Sequence, residues 1–143
     1  MPASPLAIDG SILVFTRFAI TAFFSVVFLQ SAIDKLTDPE GNLGFLREHF
    51  AKSPIPPGMV GPMYWTLTVL ELGAGAFSAL GIVFGGFADA SGFAWRGLQL
   101  GTLALLALLV GQRLAKDYAG AAVIAGYFAV AILGLLAFAI TPR

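Results

Sequence analysis

Apolar positions along this chain come in long unbroken blocks, not in the short alternating or amphipathic patches of a water-soluble core. Four blocks stand out: Ser11 to Ala32, Pro62 to Phe87, Phe93 to Gln112 and Ala119 to Ile140. Each approaches the roughly 20 residues that a helix needs to cross about 30 Å of hydrocarbon. The fourth holds no charged residue, and the others hold Arg17, Glu71 and Arg96 respectively. The pattern predicts membrane helices at approximately 11–36, 61–87, 93–115 and 119–141. It excludes an outer-membrane barrel, whose strands alternate over about ten residues. The first block reads as a permanent helix and not as a secretory signal: Asp9 precedes it with no lysine or arginine, and no small-residue cleavage site follows at "LQSAIDK".

The connection after the first block carries a different rhythm. Leu43, Leu46 and Phe50 recur at helical spacing with Arg47, Glu48 and Lys52 between them, which predicts an amphipathic helix lying in the membrane interface over about 41–53. Pro54, Pro56 and Pro57 stop it. The remaining joins, "ADASG" (88–92) and "RLAKDY" (113–118), are short, so sequential helices run antiparallel. The expected fold is all-α: a polytopic transmembrane four-helix bundle with an interfacial helix between helices one and two, forming one membrane domain over 1–143. Small-x-x-x-small pairs at Gly75 and Ala79, Gly81 and Gly85, Gly97 and Gly101, and Ala122 and Gly126 allow close helix packing.

Composition agrees with the pattern. Hydrophobic residues make up 58% and charged residues 11%, against about 25% charged in an ordinary soluble domain. Lysine and arginine number five beside loops one and three (Lys35, Arg47, Lys52, Arg113, Lys116) and three on the opposite side (Arg17, Arg96, Arg143). That asymmetry predicts a multi-pass protein of a prokaryotic cytoplasmic (inner) membrane with both termini extracytoplasmic. The lipid bilayer is then the first partner, and nothing points to nucleic acid.

Glu71 stands about nine residues into the second helix, roughly 13 Å deep. A lone carboxylate costs at least ~2.5 kcal/mol there, so it is protonated, paired or wet. Arg17, on the first helix, is the expected partner, with its long stem reaching inward. Tyr127 on helix four is expected at the same depth, and Gln99 on helix three is a shallower donor. Arg17, Thr21 and Ser25 share one face of helix one with Lys35 farther along it, while Thr68, Glu71, Gly75 and Ser78 share one face of helix two. Glu71, Arg17, Tyr127, Gln99, Lys35 and Thr21 are therefore the candidate intramembrane polar cluster. Three readings stay open for it: an architectural ion pair, a pocket for a polar head group such as a quinone ring, or part of a proton path. His49, the single histidine, reads as solvated surface with a quinone contact as the alternative, and "QRLAKD" (112–117) as a basic topology signal.

Absences narrow the chemistry. With Cys 0 there is no disulfide, thiol relay or iron–sulfur ligation, and with His 1 no bis-histidine haem or ordinary zinc site. No nucleotide motif and no nucleophile–base constellation appears. No catalytic residue, metal site or bound cofactor is predicted; any electron carrier belongs to a partner or is a diffusible quinone.

An arginine early in helix one, "DKL" at Asp34 to Leu36, a proline-bearing linker, and "ELGAGAFSALG" from Glu71 to Gly81 together resemble the DoxX-like family of small four-helix membrane proteins. The resemblance implies association with a quinone-linked oxidoreductase and carries Arg17, Lys35 and Glu71 over as polar positions. The leading expectation is a membrane subunit or partner of such an oxidoreductase, or a homo-oligomer serving that end. The alternatives are a non-catalytic scaffold or assembly subunit and, with less support, a small transporter or proton channel.

Overall fold

The computed structural model describes residues 9–87 and 92–140. These residues form α1 (Gly10–Thr37), α2 (Pro39–His49), a 3₁₀ turn (Pro57–Met59), α3 (Val60–Phe84), α4 (Phe93–Leu114) and α5 (Tyr118–Ala139), with no strand among them. Four segments are long and apolar enough to cross a membrane: α1, the 3₁₀ turn continued by α3, α4 and α5. The protein is thus an all-helical, multi-pass membrane protein, and α2 is its interfacial helix. Most of the expected turn at 88–92 lies outside the described residues.

Local chemistry sets the ends. Asp38 closes α1 through its N–H to the Asp34 carbonyl at 3.2 Å and opens α2 through its carboxylate, which accepts from Gly41 N at 3.0 Å. Pro39 sits at the first position of α2, where its fixed φ suits a helix start. The amphipathic helix therefore begins directly after α1 with a single residue between them. At the other end of the bundle Gly85 takes φ +67, and Gly86 N bonds back to the Gly81 carbonyl at 3.3 Å. That left-handed cap stops α3 three residues short of the predicted 87. Asp117 caps α5 by accepting from Gly120 N at 2.8 Å.

The four spanning helices close into a ring in which α1 packs on α3 and α5, and α4 packs on α3 and α5. Glycine lets the backbones approach. A Cβ at Gly75 would stand 2.7 Å from Leu29 N, and one at Gly97 would stand 2.7 Å from Ser78 N. Ala122 and Gly126 instead face outward, with open space beyond Gly126. Phe24, Phe28, Ala74, Leu98, Ala104 and Leu105 fill the centre. The exposed leucines, valines and phenylalanines line the outside, as a bilayer-facing surface requires.

Candidate functional site

The predicted polar cluster resolves into separate places along the bundle. Glu71 is paired, and its partner is Lys35: Nζ lies 2.9 Å from Oε2, with the glutamate 1% and the lysine 15% exposed. Lys35 also donates to Ser31 Oγ at 2.7 Å, one turn back on α1. Tyr64, one face-repeat before Glu71 on α3, donates its hydroxyl to the Lys35 carbonyl at 2.6 Å and so pins the end of α1. Beyond Lys35, Glu71 Oε2 has no hydrogen-bond partner among the described residues, and Lys35 meets it off the ideal hydrogen-bond angle. The contact is chiefly charge on charge. In a site this dry it holds both groups only because they hold each other.

Arg17 does not reach Glu71. It lies about five helical turns before Lys35 on the same face of α1, at the opposite end of the bundle. There Nε donates to the Ala137 carbonyl at 3.0 Å, Nη1 to Phe87 at 2.6 Å and Nη2 to Ile140 at 2.6 Å. Its guanidinium also lies 5.1 Å from the centroid of the Phe138 ring. Arg17 thus ties the carbonyls ending α5, which no intrahelical N–H satisfies, to the segment following α3. Thr21 supports it only locally, its hydroxyl donating to the Arg17 carbonyl at 2.7 Å. Tyr127 is outward-facing, with its ring 5.8 Å from Phe23 and no bond to Glu71. Gln99 stays at its own end of α4, accepting from Arg96 at 3.0 Å. The expected Arg17–Glu71 pair is corrected to Lys35–Glu71, and Arg17, Tyr127 and Gln99 do not join it. The error lay in the ruler: α1 has 28 residues and α3 has 25, about 42 and 38 Å, so depths counted from the helix starts against a 30 Å slab ran short.

His49 is not solvated surface. On the inner side of α2 it is half-buried, stacked on Phe45 at 5.6 Å and edge-on to Phe50 at 5.2 Å. Its Nε2 lies 3.0 Å from Gln112 Oε1 and 3.9 Å from Asp117 Oδ2. A carboxamide oxygen only accepts, so Nε2 carries the ring hydrogen. This trio sits at the rim of a cavity of about 330 Å³ beneath α2, walled by Phe50, Met63, Leu67, Leu70 and Leu108. Sequence reasoning placed these residues in unrelated segments. The available signal was Phe45 and His49 at i and i+4, an aromatic ring one turn before the single histidine on α2.

No group of three or more histidine, cysteine, aspartate or glutamate side chains fit to hold a metal occurs among the described residues.

The chain was compared with known proteins. No curated protein and no solved structure matches it. A family model does match, over residues 11–117, and its description is Methylamine utilisation protein MauE. That finding overturns the resemblance to the DoxX-like family, which rested on single residues at approximate spacing on apolar helices. The match takes in α1 through the Asp117 cap of α5, which places both Lys35–Glu71 and the His49 trio inside it. The chain belongs to the MauE family of membrane proteins.

Proposed function

We propose that this chain is a non-catalytic membrane scaffold of a methylamine-utilisation system, a bundle that holds or assembles a protein partner in the bilayer. The observation carrying this reading is the state of Glu71: its carboxylate is sealed to 1% exposure and already occupied by Lys35, which leaves no open polar pocket for substrate around it. Arg17 has a matching architectural task at the other end, where it binds three carbonyls. The absence of cysteine from the sequence supports the same division of labour, since any thiol or disulfide chemistry belongs to a partner. The quinone-linked alternative has no support at Glu71. The lysine and arginine count supports a cytoplasmic-membrane orientation with loops one and three inside.

The test is complementation of growth on methylamine in a host lacking its own copy. Glu71→Gln alone is expected to lower the amount of protein in the membrane. Lys35→Met combined with Glu71→Met is expected to restore both protein level and growth, because a pair that only sets helix register is replaceable by apolar packing. A double variant present at normal level that fails to support growth overturns the scaffold reading. Lys52→Cys in this cysteine-free chain, labelled only from the cytoplasmic side, checks the orientation.

A further inference from the structure

We propose that the cavity beneath α2 binds the head of an isoprenoid quinone or quinol, with Gln112 and His49 as its hydrogen-bonding residues. The inference rests on the α2 cavity and not on the scaffold reading, which concerns the sealed Lys35–Glu71 pair; neither member of that pair lines the cavity.

Position comes first. The cavity lies where α2 crosses the start of α3 and the end of α4, so its rim is at the interface and its apolar walls, Leu67, Leu70 and Leu108, lead toward the bilayer interior. An amphiphile with a compact head and a long apolar tail fits that gradient. The volume of about 330 Å³ falls at the small end of the usual ligand-site range of roughly 300–1,000 Å³, enough for a ring and the beginning of a tail.

The rim chemistry selects the head. Gln112 uses its oxygen on His49, and its amide nitrogen has no hydrogen-bond partner among the described residues. His49 uses Nε2 on Gln112, and Nδ1 likewise has none among them. One spare donor and one spare acceptor therefore belong to the bonded pair at the rim. A quinone carbonyl accepts from the Gln112 amide, and a quinol hydroxyl donates to His49 Nδ1, so the same pair serves either form. Asp117 Oδ2 lies 3.9 Å from the same Nε2, so its negative charge stands on the edge of the ring that faces Gln112 and away from Nδ1.

The lining also rejects the commonest competitor. Among the described residues no lysine or arginine lines the cavity, and the charged residue at its rim is Asp117. A phosphate or carboxylate head would meet a like charge with no cation to offset it. Phe45 and Phe50 around His49 offer flat surfaces to a ring, while Met59 and Met63 give adaptable walls.

The experiment uses the full chain in nanodiscs with a short-tailed quinone bearing an azide photolabel. The expected result is saturable labelling mapped to peptides of α2, α3 or α4, displaced by unlabelled decyl-quinone and not by phosphatidylglycerol. His49→Leu and Gln112→Leu are each expected to weaken binding about tenfold, the equivalent of one lost hydrogen bond. Gln112→Glu, which keeps shape and adds a second negative charge, is expected to weaken it at least as much with unchanged helix content. Tyr127→Phe on the outer face is expected to leave binding as it is. Unsaturable labelling, displacement by phosphatidylglycerol, or full affinity in the His49 and Gln112 variants overturns the proposal.

Discussion

At the scale of single residues, two charged sites in the bundle do different work, and each has its own test. Removing only one member of Lys35–Glu71 leaves the other uncompensated in a dry site, which costs about 3–5 kcal/mol for a buried pair. Glu71→Gln is expected nearer the lower end, because Lys35 at 15% exposure has a route outward. Thermal unfolding in detergent, with Lys35→Met, Glu71→Met and the double variant as a cycle, measures the coupling directly. Arg17→Lys keeps the charge and loses the planar fork that spans carbonyls from two segments. It is expected to destabilise the bundle by about 1.5–3 kcal/mol, the worth of a hydrogen bond to a charged group, read as a lower unfolding temperature. That a buried acid required a partner was legible in the sequence. Which cation supplied it was not, since Arg17 and Lys35 share one face of α1 and only the vertical registry of α1 on α3 separates them. That registry is set by Gly75 against Leu29 and by Tyr64 on the Lys35 carbonyl, contacts that no pattern along one helix reveals.

At the scale of elements, the apolar blocks are legible because the bilayer imposes both a length and an all-helical backbone. Their ends depend on caps. Gly85 ended α3 early through a left-handed residue, and Asp38 with Pro39 joined α2 directly to α1. The end of α4 carries a non-glycine version of the same device: Lys116 adopts φ +59, and Asp117 N bonds to the Gln112 carbonyl at 2.9 Å. A left-handed residue with a side chain costs roughly 1–2 kcal/mol. Lys116→Gly is therefore expected to hold or raise the unfolding temperature, while the β-branched Lys116→Val lowers it. Helix packing gives a sharper contrast. Gly97→Val drives a side chain into the backbone of α3 at Ser78 and is expected to cost about 1–3 kcal/mol or more, as overpacking does. Gly126→Val enters open space and is expected to change stability little. Both glycines read alike in sequence, as members of small-x-x-x-small pairs. Only the face each presents distinguishes them.

At the scale of the whole molecule, the bundle is polarised from end to end. One end carries α2, the His49 trio and the Lys35–Glu71 pair, and the other carries the Arg17 staple. Phe24, Phe28, Ala74, Leu98 and Leu105, all fully or almost fully buried, lie in the core between the charged sites. Packing of this kind opposes a wet route for protons and small ions between those sites. Proteoliposomes holding the chain under a pH gradient are accordingly expected to leak no faster than empty ones, a result that separates a scaffold from a channel. The His49 trio was beyond sequence reasoning for a reason of topology. Its members come from α2, the last turn of α4 and the α4–α5 turn, and they meet only after α2 folds back across the bundle end.

Arg17, on α1, draws two of its acceptors from Ala137 and Ile140, at the end of α5. During synthesis Arg17 enters the bilayer long before those carbonyls exist, so the nascent bundle holds it without those two acceptors until α5 arrives beside it. Arrival of α5 and full capping of that charge are then one event. A chain released short of α5 would keep a polar scar in the lipid, and membrane proteases that survey for such groups would have a physical mark by which to tell unfinished copies from finished ones.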